Sequence, residues 1–401
     1  MKPSPALRIC TVNCGPLSLF PTTARLVVGI SIIIFASVKP ASAQTWTLTS
    51  APSTNWWSVA SSADGSKLAA VVNGGLIYTS TNSGATWMVG GAPSKSWYSV
   101  ASSADGSKLA AVVYDGLIYT STNSGETWVS NNVPNKRWYS VASSADGNKL
   151  SAVVNGGLIY TSTNSGATWM SNSAPSKPWS SVASSADGNK LVAAAGISGP
   201  IYTSTNAGTT WVSNNAPIKN WSSVASSADG SKLLAADYYG TIYISTNSGS
   251  NWTATDPKQY SGWTGVTSSA DGRKLVGVVC CAGPIYSSTN MGVVWASNSV
   301  PKANWEAVAS SADGGKLVAV VAGGGIYTSQ SIQAPTFDIR SLGSDAIISW
   351  TIPSMDFVLQ ENSDLSTTNW TDVPTIPTIT NYQSQVMVSQ TSGNSFYRLK
   401  H

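Results

Sequence analysis

Six near-copies of one eight-residue phrase recur along the chain: Ser-Thr-Asn-Ser-Gly-Ala-Thr-Trp ends at Trp87, and its variants end at Trp128, Trp169, Trp211, Trp252 and Trp295. An Ala-Asp-Gly tripeptide keeps step with them, its aspartate falling at Asp64, Asp105, Asp146, Asp187, Asp229, Asp271 and Asp313, 41 residues apart three times and then 42 apart three times. The tripeptide therefore counts seven units, one more than the phrase. A unit this short cannot bury a core alone and must do so against its neighbours, which restricts the chain to a solenoid or a radial array.

The second unit shows how each copy folds. Residues 97–103 are strand-prone and end at the Ala104-Asp105-Gly106 turn. Residues 108–113 form an apolar run of small and β-branched side chains, turned by Tyr114-Asp115-Gly116; residues 117–121 follow, then the repeated phrase, then 127–130. Four short strands joined by tight turns predict one antiparallel sheet, with no helical period anywhere in the unit. Repeated sheets of this length are the blades of a β-propeller. The seventh copy, 305–329, stops after its third strand, while Thr45-Trp46 stands 41 residues before Thr86-Trp87. Residues 45–50 are thus expected to supply the missing outer strand, closing the ring and removing an exposed edge. The expected fold is all-β: a seven-bladed propeller of four-stranded blades over residues 44–330, closed by its N-terminal strand, followed by a small β-sandwich over 331–401.

Composition narrows the partners. With 42% hydrophobic and 10% charged residues the chain is not disordered. Its formal charge of +4 resides in Lys2, Arg8, Arg25 and Lys39; without them 18 basic residues balance 18 acidic ones. Neither nucleic acid nor an anionic membrane is expected as a partner. Residues 1–43 carry a basic stretch, an apolar run over 26–38 and Ala41-Ser42-Ala43 before Gln44, the pattern of a signal peptide. That run is short of the ~20 residues of a membrane span. The mature protein is expected to start near Gln44, to be secreted, periplasmic or cell-surface associated, to carry no transmembrane segment after cleavage, and to be a monomer. Cys10 and Cys14 leave with the signal; the adjacent Cys280 and Cys281 either close a small disulfide ring or stay as two thiols.

The phrase resembles the Asp-box, or bacterial neuraminidase repeat, of sialidase-like propellers, with Asn82, Asn123, Asn164, Asn206, Asn247 and Asn290 in place of the family's aspartate. Asparagine is a mild substitute, since its carbonyl also accepts hydrogen bonds from the turn's own amides. Gly84, Gly125, Gly166, Gly208, Gly249 and Gly292 would supply the permissive backbone angle, and Trp87, Trp128, Trp169, Trp211, Trp252 and Trp295 a large apolar surface. These eighteen positions are expected to be structural rather than ligand-binding. In families resembling this one the Asp-boxes lie on the face opposite the active site.

Alternation of turns puts the Ala-Asp-Gly turns and the Asp-boxes on one face and the second turns with the inter-repeat connections on the other. The copies diverge on that second face. Each inner strand there begins with a tryptophan, at Trp56, Trp97, Trp138, Trp179, Trp221, Trp263 and Trp305, expected to pack between blades. The next position reads Trp57, Tyr98, Tyr139, Ser180, Ser222, Thr264 and Glu306. Three consecutive aromatics beside polar groups suit stacking on sugar rings or anchoring a protein. Trp57, Tyr98, Tyr139, Tyr114, Asp115, Asp237, Tyr238 and Glu306 are the candidate ligand-binding residues, with Tyr239 in the same variable turns; neutral drift in loops is the competing account. Lys95, Lys136, Lys177, Lys219, Lys258 and Lys302 recur in the connections, as a basic ring or as solvated edge protection. Asp64 and its equivalents are expected to pair with Lys67 and its equivalents three residues on.

A sialidase requires an arginine cluster and a tyrosine–glutamate pair, and the propeller region holds only Arg137 and Arg273. Another glycosidase needs two carboxyl groups about 5–10 Å apart, and Asp115, Asp237, Asp256 and Glu306 sit on separate blades. The sole histidine, His401, is the last residue, so no histidine triad or histidine metal site can form in the ring. No catalytic residue, metal or cofactor is assigned. The expected function is a secreted recognition or scaffold module binding a glycan or an extracellular protein. The alternatives are a sialidase-like glycoside hydrolase and a docking platform like the Asp-box propellers that assist photosystem assembly, which the chain resembles in blade count. After residue 335 the phrases Phe-Val-Leu-Gln-Glu-Asn-Ser-Asp-Leu, Asn-Trp-Thr-Asp-Val and Phe-Tyr-Arg-Leu-Lys resemble a fibronectin type III-like terminal domain of secreted bacterial proteins, with either a purely structural role or one in surface attachment or sorting.

Overall fold

The computed structural model describes residues 45–255, 262–330, 337–342, 345–351, 358–364, 366–367, 369–375, 377–380, 383–389 and 395–400. The signal-like segment through Gln44, together with Asp256, Lys258 and His401, lies outside the described residues. The chain divides into two compact units, with the boundary between Ala334 and Pro335.

In the larger unit the repeats form sheets. The first comprises Thr54–Ser61, Leu68–Gly75, Ile77–Ser80 and Met88–Val89, paired antiparallel in chain order. Five more such sheets follow, ending with Trp263–Ser268, Leu275–Val279, Ile285–Ser288 and Ala296–Ser297. The seventh is composite: Trp305–Ser310, Lys316–Gly324 and Ile326–Gln330 take Trp46–Leu48 as their fourth strand, with Thr47 opposite Thr328. Trp46 is 8% exposed, and its ring lies 6.4 Å from that of Trp305.

The second strand of each sheet contains five consecutive buried residues, such as Leu109–Val113, because its two faces meet the neighbouring sheets, which is why that stretch reads as an apolar run. The tryptophan opening each inner strand is at most 1% exposed and fills the space between sheets. A Trp in such a position removes a large apolar area from water and needs a partner only for its indole N–H. Trp97 donates it to Pro93 O at 3.2 Å, Trp138 to Gly116 O at 3.1 Å.

The sheets are joined into a ring by backbone. The Ala63 N–H donates to Ala104 O at 2.7 Å, Ala104 to Ala145, Ala145 to Ala186, Ala186 to Ala228, Ala228 to Ala270, Ala270 to Ala312, and Ala312 back to Ala63 at 2.7 Å. The circuit closes on itself after seven steps.

The Ala-Asp-Gly aspartates depart from the expected pairing. Asp64 accepts from the Ser62 hydroxyl at 2.6 Å and from the Ser66 N–H and hydroxyl at 2.9 and 2.7 Å, and these bonds hold its carboxyl down at about 2. Lys67 reaches across to the next sheet, where its Nζ meets Ser124 Oγ at 3.3 Å and its stem packs over Gly106. A Cβ on Gly106 would stand 2.7 Å from Lys67 Cβ, and φ there is +67°, so glycine is required twice over. The lysine therefore ties one sheet to the next instead of serving its own turn.

The smaller unit carries two sheets. One is ordered Phe337–Leu342, Asp345–Thr351, Gln383–Ser389, Thr378–Thr380; the other Thr371–Asp372, Val358–Asn362, Phe396–Lys400. Ile348, Trp350 and Val386 from the first and Leu359 from the second form one core. The short strand Thr378–Thr380 follows Pro377 and lies at the edge of its sheet, where a neighbouring residue without an N–H is tolerated.

Deleting residues 44–50 strips the seventh sheet of its outer strand and exposes Trp305. A clear fall in melting temperature is expected, and Trp46→Ala alone should cost about 3–5 kcal/mol in denaturant unfolding; unchanged unfolding for both proteins would refute closure by this strand.

Candidate functional site

Two sets of turns occupy one face. In the first Ser-Thr-Asn turn, Asn82 Oδ1 accepts from the Ser80 hydroxyl at 3.0 Å and the Thr86 N–H at 2.9 Å, while Ser80 Oγ accepts from the Gly84 N–H at 3.0 Å. Ser83 and Gly84 both have positive φ, at 58° and 88°. Asn123, Asn164, Asn206, Asn247 and Asn290 repeat the clasp, each carbonyl accepting the N–H four residues on. Trp87 and Trp128 lie 6.5 and 6.3 Å from the inner tryptophans of their own sheets. The acceptor capacity of these asparagine carbonyls is committed within the turns.

The opposite face is tied down as well. Gly75 pairs with Lys95 and Gly157 with Lys177, and isolated bridges join Gly116 to Lys136 and Gly199 to Lys219. The backbone around these lysines thus links each second turn to the next inner strand, where the sequence reads as free connection. Short polar runs with proline conceal this pairing because its partners lie in the neighbouring repeat.

One residue per blade escapes the ladder. In every inner strand the register slips just after the anchoring tryptophan: Trp56 opposes Val72, but Ser58 opposes Val71, leaving Trp57 as an unpaired bulge residue. The same slip isolates Tyr98, Tyr139, Ser180, Ser222, Thr264 and Glu306. A bulge re-aims its side chain away from the packed face. These are the seven positions at which the otherwise near-identical inner strands differ most, and the bulge supplies the reason: a residue outside the ladder, and only at the edge of the inter-sheet core, is not held to one shape.

Side chains at neighbouring bulges meet. The Trp57 and Tyr98 rings are 4.9 Å apart, Tyr98 and Tyr139 4.7 Å, and Tyr114, from a second turn, stacks on Tyr98 at 4.9 Å with an interplanar angle of 29°. The four form one half-buried aromatic surface across three blades. Burial first, then the hydrogen bond to Tyr139, pushes the Tyr98 hydroxyl far above the usual phenol range. On the other arc Ser180 Oγ donates to Ala194 O at 3.1 Å, Ser222 Oγ to Ala236 O at 3.2 Å, and Thr264 Oγ1 to Trp305 O at 2.8 Å. The bulge ring thus has an aromatic half and a hydroxyl half, with Glu306 at one junction beside the Trp57 blade.

The acids behave differently from one another. Glu306 is half-buried, and burial pushes its carboxyl up to about 7. Asp237 takes a strand position held by valine or alanine in the other blades; it is 3% exposed and sealed against Lys219 Nζ at 3.5 Å and the N–H of Asn220 at 3.3 Å. Asp115 sits at the surface with φ +53°, paired to Arg137 at 3.3 Å. Tyr238 lies apart from the aromatic surface: its hydroxyl is 3.7 Å from Cys280 Sγ, a contact that pushes the phenol up to about 12, and the exposed Tyr239 packs edge-on against it. Cys280 and Cys281 are free thiols with sulfurs 3.0 Å apart. The structure therefore joins Trp57, Tyr98, Tyr139 and Tyr114 in one surface with Glu306 close to Tyr98, pairs Asp115 and Asp237 with basic residues elsewhere, and sets Tyr238 against Cys280.

With this geometry in hand, the chain can be set beside known proteins. No family model and no curated protein matches it. Among solved structures it is similar to YCF48 from Cyanidioschyzon merolae, with a TM-score of 0.57 and 16% identity over 71% of this chain and 98% of that one. A structure described as YCF48 bound to D1 peptide gives 0.57 and 14% over 76% and 100%. The GH74 xyloglucanase from Xanthomonas campestris gives 0.57 and 15% over 77% of this chain and 59% of its own. These neighbours are propellers, and identities this low speak to the fold alone. The chain is an all-β propeller.

Glu306 yields a test by pH. Its folded carboxyl holds the proton more tightly than the usual 4.5 of the unfolded chain, so its contribution favours the fold at low pH and is lost as pH climbs through about 7. Relative to wild type, Glu306→Gln should gain stability between pH 5 and 8.5, by at most about 3 kcal/mol. A difference in melting temperature between the two proteins that does not change with pH would refute the burial.

Proposed function

We propose that the chain is an exported, non-catalytic recognition or scaffold module that holds a protein segment or a glycan at the channel mouth opposite the Ser-Thr-Asn turns. The observation that carries this reading is the aromatic surface of Trp57, Tyr98, Tyr139 and Tyr114, assembled from bulge positions on three consecutive blades and left half-exposed. Rigid rings contribute contact area at small entropic cost, and large half-exposed aromatics beside hydroxyls suit both peptide and sugar ligands. The YCF48 structure described as holding a D1 peptide supports the idea that a ring of this shape can serve as a docking platform.

Export rests on the signal-peptide pattern of residues 1–43. The Ser-Thr-Asn turns are read as Asp-box relatives that maintain the ring, and the two-sheet unit after residue 335 as a fibronectin type III-like domain that accompanies it. The protein is read as a monomer.

One observation favours a second reading. A half-buried carboxyl brought to about 7 is suited to general acid catalysis, so Glu306 could act as proton donor in a glycoside hydrolase. That mechanism also requires a second carboxyl across the bond. Asp237 is sealed against Lys219 and Asp115 is paired with Arg137, which weighs toward binding.

Screening wild type and the Trp57→Ala/Tyr98→Ala/Tyr139→Ala variant on a glycan array and a peptide library separates the readings. A ligand bound by wild type should lose at least about tenfold in affinity in the variant. Retained affinity in a cooperatively folded variant refutes the mouth as the site, and glycoside turnover abolished by Glu306→Gln replaces binding with catalysis.

A further inference from the structure

We infer that the part of the mouth between Glu306 and Trp57 is a binding site for an alkylammonium group, either the head of a small organic cation or the lysine side chain of a partner; this rests on the reading of the mouth as a recognition surface.

Three observations on this chain converge on that chemistry. The first is position. Glu306 is the bulge residue of the seventh blade, and the ring closes so that the next bulge residue is Trp57. Where two successive bulge side chains are both aromatic, as at Trp57 and Tyr98, their rings come within 4.9 Å, so adjacent bulge positions are within reach of one shared small ligand.

The second is the absence of an internal partner. Among the described residues the Glu306 carboxyl has no hydrogen bond and no basic group within salt-bridge distance. Its oxygens are not among the fully enclosed unsatisfied atoms, so they keep contact with solvent. The serines whose hydroxyls accept an amide of the next blade elsewhere, such as Ser58 from Val100 at 3.2 Å, are replaced at the two flanking positions by Gly265 and Ala307. Two basic residues of this face are committed elsewhere, Arg137 to Asp115 and Lys219 to Asp237. Tyr98 and Cys280 are two ionisable neighbours that feel Glu306, and both are acids.

The third is the electron-rich surface beside the carboxyl. Trp57, Tyr98, Tyr139 and Tyr114 present ring quadrupoles that attract a cation and give an anion nothing. A carboxylate or sulfate ligand would add a like charge to Glu306. A neutral ligand would further desolvate the carboxyl without compensating it. An alkylammonium satisfies both halves: its charge meets the carboxylate while its methyl or methylene groups lie on the rings.

Isothermal titration of the full chain with choline and with its uncharged isostere 3,3-dimethylbutan-1-ol tests the charge. Choline should bind at least about tenfold more tightly, and Glu306→Gln, checked for cooperative unfolding, should bring it down to the level of the isostere. Trp57→Ala should weaken choline, and Trp57→Phe should restore much of the affinity. Nα-acetyl-lysine methylamide displacing choline at comparable concentration assigns the site to a partner's lysine, and choline preferred over it to a small cation. No choline binding, equal binding of choline and isostere, or choline binding unchanged in Glu306→Gln overturns the inference. Equal binding that Trp57→Ala abolishes does so while leaving the mouth a recognition site, so the two readings fail separately.

Discussion

The structure depends on one circuit of hydrogen bonds, the seven alanine-to-alanine amide links that run from Ala63 around the ring and return to it. Each link requires its two Ala-Asp-Gly turns to present the same backbone groups at the same angle, so each unit must be a wedge of nearly constant shape. That requirement explains the monotony of the repeats. The aspartate braces its turn through the preceding serine, the glycine admits the neighbouring lysine stem, and the small alanine lets backbone approach backbone. The three units of 42 residues place the extra residue in a second turn or a connection, on the other face, where the circuit does not feel it.

From that constraint follows where variation can occur. Four-stranded blades leave the inner strand with one free position, because the bulge after the tryptophan anchor takes its residue out of the ladder and to the edge of the inter-sheet core. A ring under near-sevenfold restraint thereby acquires an asymmetric mouth, aromatic on one arc and hydroxylated on the other, with an acid at a junction. Asp237 shows the contrast. It too is an exception in its repeat, but it stands within a buried strand position and has to be neutralised internally by Lys219 and backbone amides.

The blade pattern and ring closure were legible because they follow from local rules: turn residues at fixed offsets, apolar runs of strand length, and a missing final strand matched by a spare initial one. The aromatic trio was legible as three adjacent exceptions. What sequence could not supply is the sense of each exception. Trp57, Asp237 and Asp115 look alike as departures from a repeat, yet one is a half-buried bulge residue against Tyr98, one is sealed in a buried strand and one rides a surface turn beside Arg137. Those differences depend on the bulge and on cross-blade pairing, both of which join residues about one repeat apart. The lysine of each Ala-Asp-Gly turn was misassigned for the same reason, since its partner lies in the next blade.

The seventh sheet joins the first strand of the ring to the last, with Trp46 opposite Ser329 and Leu48 opposite Tyr327. This sets an order of events in synthesis. The strand that emerges first has no place to pair until the final repeat has been made, so each intermediate chain carries an unmatched strand at one end and a growing, open edge at the other. Assembly of the blades can proceed locally, but the closing step is a long-range one whose loop spans the whole ring, the kind of contact that slows folding. A change in Trp46–Leu48 therefore acts on the last step of folding, although these residues are made before the rest of the ring.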